Sequence, residues 1–233
     1  SPVAPPKPKI VCLDFDDTLC DHHKQLLPHA DDVLAELRAK GHTLLVSSAR
    51  FSPIYGDLNV HRIKRVQDWL DAKSLEVDAV CRFVPLADVY VDDLAHCFVG
   101  SWDVELKRVL ERLSPGASTH ERTLDKQVNV SLDLIWSGEE QAPMPGAVSA
   151  LEALALRGVR VVVSAGPFID PDNSESTRAL RDTLKGSGLR IKRVDTHKIT
   201  SDVYLNARGL RYEGDWRETA AELFERLSPI SSP

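Results

Sequence analysis

The 233-residue sequence predicts an α/β protein: two tandem Rossmann-like three-layer α/β/α domains, each with a parallel sheet. Three observations carry that expectation. Short apolar runs alternate with amphipathic helical stretches, the alternation runs through the chain twice, and the second pass repeats the first. Strands that alternate with helices imply βαβ units with helices on both sheet faces, and right-handed crossovers give the layered sandwich.

The repeat is an ordered series of matches. Glu111-Arg112-Leu113-Ser114-Pro115 recurs word for word as Glu225-Arg226-Leu227-Ser228-Pro229, 114 positions on. At the same offset Asp88-Val89-Tyr90-Val91 matches Asp202-Val203-Tyr204-Leu205, and Gly100 and Trp102 match Gly214 and Trp216. Further upstream the offset is 117, where Gly41 to Ser47 matches Gly158 to Ser164, Pro28 matches Pro145, and Leu34 and Leu37 match Leu151 and Leu154. One loop change accounts for the difference. The expected domains are therefore 10–115 and 127–229, joined by the polar stretch Gly116 to Lys126.

Within the first copy, Ile10 to Leu13 is an apolar run of the kind that forms a buried parallel strand. A helix is expected from about His29 to Lys40, with Val33, Leu34 and Leu37 on one face and Gly41 as its stop. Leu44 to Val46 is the next strand, Val60 to Leu70 the second helix, and Val77 to Val80 and Val89 to Val91 two further strands. A last helix runs from about Val104 to Leu113.

Composition excludes several classes. An apolar fraction of 42% can bury a core, so a wholly disordered chain is not expected. A net charge of -6 argues against tight binding to duplex nucleic acid, which needs a basic face. Cys12, Cys20, Cys81 and Cys97 lack CxxC spacing, and Cys12 lies in an apolar run, so a disulfide-free cytoplasmic protein is expected. No apolar run is long enough to span a membrane. The Pro-rich start has no signal-peptide core, and the last residues read as a loose tail.

In open α/β sheets the ligand sits beyond the carboxyl ends of the strands. Three such ends in the first copy carry polar groups: Asp14 and Asp16 after the first strand, Ser47 after the second, and Asp92 and Asp93 after the fourth. Four carboxylates brought together need a cation to stay ionised. Their hard oxygens suit Mg²⁺, which also binds substrate phosphate. With a metal present, one carboxylate can serve as nucleophile and its neighbour as general acid/base.

Leu13-Asp14-Phe15-Asp16-Asp17-Thr18-Leu19 resembles the first motif of the haloacid dehalogenase superfamily, an apolar strand followed by Asp-x-Asp-x-Thr/Val. Leu45-Val46-Ser47 resembles the second motif, and Val89-Tyr90-Val91-Asp92-Asp93 the fourth. The resemblance covers the first copy and, more weakly, the second. It implies that Asp14 attacks phosphorus to form an aspartyl-phosphate and that Asp16 protonates the leaving group and then activates water. It implies too that Ser47 would hold phosphoryl oxygens and that Asp14, the Asp16 carbonyl and Asp92 would hold Mg²⁺, with Asp93 assisting through water. Ser48, Arg50 and Arg82 are further candidates for phosphate contact. Two departures stand out. Asp17 occupies a position that is usually Gly, and Val84 stands where look-alikes carry the third-motif Lys. Arg82, Lys64 and Lys198 are the cations available to replace it.

The second copy departs further. At offset 117, Asp14 falls on Ser131 and Asp16 on Asp133; a two-residue gap instead places Asp133 on the nucleophile and Ile135 on the acid. Asp92 and Asp93 become Asn206 and Ala207, while Ser164 matches Ser47 and Lys198 lies opposite Val84. This half is expected to be a degenerate, pseudoenzyme-like domain that binds no Mg²⁺ and packs on the first copy as an intramolecular pseudo-dimer. Neither gap between motifs holds a cap domain. A capless, open site suits a large substrate or a neighbouring domain as lid, and leaves a nucleotide, polynucleotide end, phosphoprotein or sugar phosphate as possible substrates. A non-catalytic scaffold is the competing reading. Cys20-Asp21-His22-His23 has the look of a metal cluster but lacks a partner pair, and reads as a polar loop at the site mouth.

Overall fold

The computed structural model describes residues 7–56, 59–113 and 125–228. The first six residues, most of the expected joining stretch and the tail from Pro229 lie outside them. In chain order the regular elements are β1 (Ile10–Leu13), α1 (Ala30–Ala39), β2 (Thr43–Ser47), α2 (Asn59–Ala72), β3 (Ala79–Cys81), β4 (Val89–Asp92), β5 (Ala95–Cys97), α3 (Trp102–Leu113), β6 (Gln127–Ser131), β7 (Trp136–Ser137), β8 (Ala142–Pro143), α4 (Ala147–Leu156), β9 (Arg160–Ser164), α5 (Ser174–Gly186), β10 (Arg193–Asp195), β11 (Val203–Asn206), β12 (Gly209–Arg211) and α6 (Trp216–Leu227). The expected elements of the first copy are all present, within a few residues at their ends. Helix α1 buries Val33, Leu34 and Leu37, carries Asp31 and Asp32 in its first turn, and gives way to Gly41 at φ +83°.

The chain forms two compact units, and they do not coincide with the two repeat copies. One comprises residues 1–93 and 210–233, the other 94–209. In the first unit β1 pairs in parallel with β2 and β4, and β2 with β3, in the order β12-β4-β1-β2-β3. Its core joins Val11, Leu13, Leu34, Leu37, Val46 and Val91 to Leu210, Tyr212, Trp216, Leu223 and Leu227 from the end of the chain. In the second unit the order is β10-β9-β6-β11-β5, again with parallel pairings, and β7 and β8 form a small antiparallel ribbon. Its core joins Val128, Val130, Leu151, Leu154 and Val163 to Trp102, Val109 and Leu113 from the first copy. Each copy thus contributes its last strand and helix to the other unit.

Chain geometry gives the reason. Only Asp93 and Leu94 separate β4 from β5, and only Ala207 and Arg208 separate β11 from β12. Two residues can join antiparallel neighbours, whereas a parallel neighbour in the same sheet needs a crossover of roughly a dozen residues or more. Strand β5 cannot be a parallel neighbour of β4 through such a link, and it pairs in parallel with β11 of the other unit, while β12 lies beside β4. Because the repeat is a sequence repeat, the exchange satisfies matching contacts twice, as in domain swapping. Trp102 donates its indole N–H to the Leu134 carbonyl at 2.8 Å in the second unit, and Trp216 donates to the Thr18 carbonyl at 2.8 Å in the first. The recurring Asp-Val-Tyr word has a similar basis. Asp88 accepts the Ile10 N–H at 2.7 Å, and Asp202 accepts the Gln127 N–H at 2.8 Å, fixing the start of each central strand. Gly146, at φ +77° before α4, is also explained: a Cβ there would lie 3.2 Å from the Trp102 Cβ.

His42, which precedes β2, is buried, and its Nδ1 accepts the Lys9 N–H at 3.2 Å. Burial holds its pKa below the ordinary histidine value, with Lys40 adding to the effect. The unfolded chain therefore takes up this proton at a higher pH than the folded one. The stability concerned is present above about pH 6.5 and is lost as the pH falls through the window below it. His42→Gln is expected to flatten the fall of the urea midpoint between pH 7 and pH 5 relative to the parent protein. Among the described residues, no helix is long and apolar enough to cross a membrane, and none of the four cysteines forms a disulfide.

Candidate active site

The register of β1 builds the site. Leu13 lies opposite Val46 on β2 and Val91 on β4, so the next residues, Asp14, Ser47 and Asp92, come together at the carboxyl ends of three adjacent strands. The Asp14 N–H donates to the Val91 carbonyl at 2.9 Å, extending this pairing by one step. Beyond Asp14 the chain turns sharply, with the Phe15 carbonyl accepting the N–H groups of Leu19 and Cys20. Asp17 sits in this turn at φ +57°. That left-handed conformation explains why Gly is usual here, and Asp is one of the few side chains that enter it readily.

Thr18, wholly buried, ties the turn to the acidic end of β4: its hydroxyl oxygen accepts the Asp93 N–H at 3.1 Å, and its carbonyl accepts the Trp216 indole. Asp14, Asp92 and Asp93 each present a carboxylate oxygen within 4.8 Å of the others, and Asp92 is buried. At that separation two like charges repel by about 3 kcal/mol at an effective dielectric constant near 20. Three hard anionic oxygens so placed fit a small divalent cation.

The Asp16 carboxylate is engaged elsewhere. Its Oδ1 accepts from Lys24 Nζ at 2.6 Å and from Arg50 Nη2 at 2.6 Å, and its Oδ2 accepts from Arg50 Nε. Burial pushes its pKa up, but the hydrogen bonds from Arg50 and Lys24 outweigh that and hold the carboxyl below the usual range. Ser47 is buried at the end of β2. Ser48 Oγ accepts the Arg50 N–H at 3.2 Å and so caps the short 3₁₀ turn Ala49–Phe51 that presents Arg50. Arg62 secures the same loop, donating to the carbonyls of Arg50 at 3.2 Å and Tyr55 at 2.7 Å.

The other cations read from the sequence have partners of their own. Arg82 is exposed and stacks on the ring of its neighbour Phe83 at 5.1 Å. Lys64 pairs with Asp68 one turn along α2. Lys198 belongs to the second unit, where its ammonium lies 4.7 Å from the Tyr204 ring centroid. The cation that sequence reasoning missed is Lys24. Its only signal was a positive charge in the polar loop just after the paired acids. Cys20 is buried and its thiol is pushed by burial up to about 12. The rings of His22 and His23 lie tilted against each other with centroids 3.8 Å apart, and among the described residues no cluster with metal-ligand spacing includes Cys20, His22 or His23.

In the second unit Ser131 lies opposite Ser164, and Val130 opposite Leu205. This register settles the alignment of the copies: Ser131 is the counterpart of Asp14, and Asn206 that of Asp92. Ser131 Oγ donates to Asp133 at 2.5 Å, a local bond within the turn. Asp195, opposite Ser164 at the end of β10, is held by Arg193, by the His197 ring at 3.1 Å and by the His197 N–H at 2.9 Å. Among the described residues, this unit has no three-carboxylate cluster.

No curated protein matches the chain. Residues 11–62, which hold most of β1, the paired acids, Lys24, Ser47 and Arg50, match the family model of the haloacid dehalogenase-like hydrolases, and over that segment the chain is similar to hydrolases of this superfamily.

Proposed function

We propose that the protein is a Mg²⁺-dependent phosphomonoester hydrolase acting through an aspartyl-phosphate on Asp14. The convergence of Asp14, Asp92 and Asp93 beside Ser47 carries this reading. Asp14, Asp92, Asp93 and the Asp16 carbonyl would hold the cation, which when bound offsets the acidic cluster and the charge of the phosphoryl group.

An Asp14 oxygen attacks phosphorus as the bond to the leaving oxygen breaks, and Asp16 supplies the proton that oxygen needs. Water then attacks the phosphoryl group on Asp14, Asp16 takes the proton from it, and inorganic phosphate leaves. The hydrogen bonds from Arg50 and Lys24 that hold the Asp16 pKa down favour the carboxylate form that this second half needs. Ser47 donates to a phosphoryl oxygen in both. Among the described residues, α1 and the start of β2 lie between Asp14 and Ser47, and two 3₁₀ turns, α2, β3 and the start of β4 between Ser47 and Asp92. We take the site to be capless and open to a bulky phosphorylated substrate, such as a nucleotide or polynucleotide end. The second copy has the register of the site without its acids, and its role is structural: it supplies β12 and α6 to the unit that holds the acids.

An aryl phosphate is the right first substrate, because its leaving group needs little help from an acid. Turnover with Mg²⁺ that stops on addition of EDTA is the expected result. No turnover across a panel of phosphoesters, together with no Mg²⁺ binding by calorimetry, would favour a non-catalytic scaffold.

A further inference from the structure

The two units share a loop and fill it with opposite charge. After α2 the chain passes Ser74 at φ +56°, the Leu75 N–H donates to the Leu70 carbonyl at 2.9 Å, and the Asp78 N–H donates to the Leu44 carbonyl at 2.8 Å. After α5 it passes Gly188 at φ +89°, the Leu189 N–H donates to the Leu184 carbonyl at 3.2 Å, and the Lys192 N–H donates to the Val161 carbonyl at 2.7 Å. The same bonds recur, so the side chains correspond position by position. Asp71, Glu76 and Asp78 of the first unit stand where Lys185, Arg190 and Lys192 stand in the second. In the first unit Arg38 of α1 bridges the two loop acids, 3.4 Å from Glu76 and 3.1 Å from Asp78. Its counterpart at the end of α4 is Ala155. Three acids have become three cations, and the arginine that paired with two of them is gone.

In place of that network the second unit has an open groove of about 670 Å³. Its basic lining residues are Arg160, Lys185, Arg190 and Lys192, and its acidic one is Glu152. Arg160 is paired with Asp125. Lys185, Arg190 and Lys192 are exposed, and among the described residues their side chains make no hydrogen bond or ion pair. The chain as a whole carries a net charge of -6, so this cluster runs against its average. Lys185 lies in the last turn of α5, where a cation complements the helix carbonyls, but that effect fades within the turn, and Arg190 and Lys192 lie beyond it. An apolar change accompanies the charge. Leu156, next to Ala155, is 82% exposed, and its counterpart in the first unit is Ala39.

We propose that this groove docks an acidic peptide segment of a partner protein, one with apolar side chains among its carboxylates. Cations gathered without partners attract an anionic ligand and steer its approach, and the Arg190 guanidinium can take a carboxylate through two N–H groups. Two features choose a peptide over a nucleic acid. Among the described residues no aromatic ring lines the groove, so bases have nothing to stack on. Helices α4 and α5 both end at it, so neither offers its N-terminus to a phosphate. Docking here is independent of hydrolysis, since the groove belongs to the unit without the paired acids.

The test is fluorescence anisotropy of the full chain with a labelled peptide of mixed glutamate and leucine, and with the same peptide carrying lysine for glutamate as the control. The parent is expected to bind the acidic peptide and not the basic one. Arg190→Glu with Lys192→Asp, which gives the second unit the residues of the first, is expected to weaken binding by about 10- to 100-fold. Arg190→Gln with Lys192→Gln should weaken it less, and carries the comparison if the charge reversal lowers the melting point. Raising the ionic strength from about 0.01 M to about 0.15 M should weaken the parent more than either double variant. No binding by the parent, or equal binding by the parent and the double variants, would overturn the site. Tighter binding of an oligothymidylate, lost in the same variants, would overturn the choice of a peptide. So would self-association of the parent, seen by sedimentation and abolished by the charge reversal, which would make the occupant a second copy of the chain.

Discussion

Asp14→Asn is expected to lower metal-dependent hydrolysis of an aryl phosphate by about 10⁴-fold or more, the scale seen when a covalent nucleophile is removed. Two effects are combined in that number and can be separated. The carboxamide keeps one oxygen near Asp92 and Asp93 but loses the charge, so Mg²⁺ binding also weakens. Raising Mg²⁺ until the variant is saturated restores metal occupancy and leaves turnover absent, because no carboxylate remains to attack phosphorus. Asp93→Asn provides the contrast. It removes charge from the same cluster and leaves the nucleophile, so excess Mg²⁺ is expected to recover much of its rate. An Asp14→Asn protein that turns over at the parent rate would remove the aspartyl-phosphate mechanism.

The acidic ends of β1 and β4 were legible because their signals are local: an apolar run fixes a strand, and the residue after it lies at the strand's carboxyl end whatever the rest of the chain does. Asp14, Ser47, Asp92 and Asp93 therefore fell where the strand pattern put them. The recurring words, such as Glu-Arg-Leu-Ser-Pro at 111–115 and 225–229, were visible for the same reason, since they are a property of the sequence. The partition of the repeat into compact units was not. Strands β5 and β12 are only three residues each, too short for a periodic signal. An exchanged and an unexchanged arrangement of two similar copies also bury the same residue types, so the pattern of apolar positions is the same for both. Trp102 and Trp216 stood out as retained aromatics, but nothing local says which copy each one enters. Lys24 was missed on similar grounds, because its partner Asp16 is defined by how a turn folds and not by spacing on a helix or strand. Arg82 had the opposite fate: its closeness to Val84 in sequence drew attention, and its side chain turns onto Phe83.

Trp216→Ala is expected to impair the site although Trp216 lies 198 residues from Thr18 in sequence. The side chain is wholly buried in the first unit, packed against Tyr212 with ring centroids 5.3 Å apart. Its removal should cost about 3–5 kcal/mol for the lost contacts and the cavity left behind, and about 1–3 kcal/mol more where the buried Thr18 carbonyl loses its donor. Melting should drop by roughly 2–4 °C for each kcal/mol in a chain of this length. Trp216→Phe keeps most of the packing and loses the hydrogen bond, so it should fall between the two. Catalysis gives the sharper readout. Thr18 bonds both the Trp216 indole and the Asp93 N–H, so loosening it shifts the turn that carries Asp14 and Asp16 relative to Asp92 and Asp93. A drop in kcat, measured well below the melting range, should accompany Trp216→Ala. Trp102→Ala should destabilise the second unit to a similar degree, since its indole is bonded to Leu134 there, while kcat at low temperature stays near the parent value. Independent tandem domains at 10–115 and 127–229 would give the opposite pattern, with Trp102 governing the catalytic half. A fragment spanning 1–115 separates the two as well: without β12, Tyr212, Trp216 and Leu223 it leaves the edge of β4 and the face of α1 uncovered, and is expected to be unfolded or aggregated where the full chain is not.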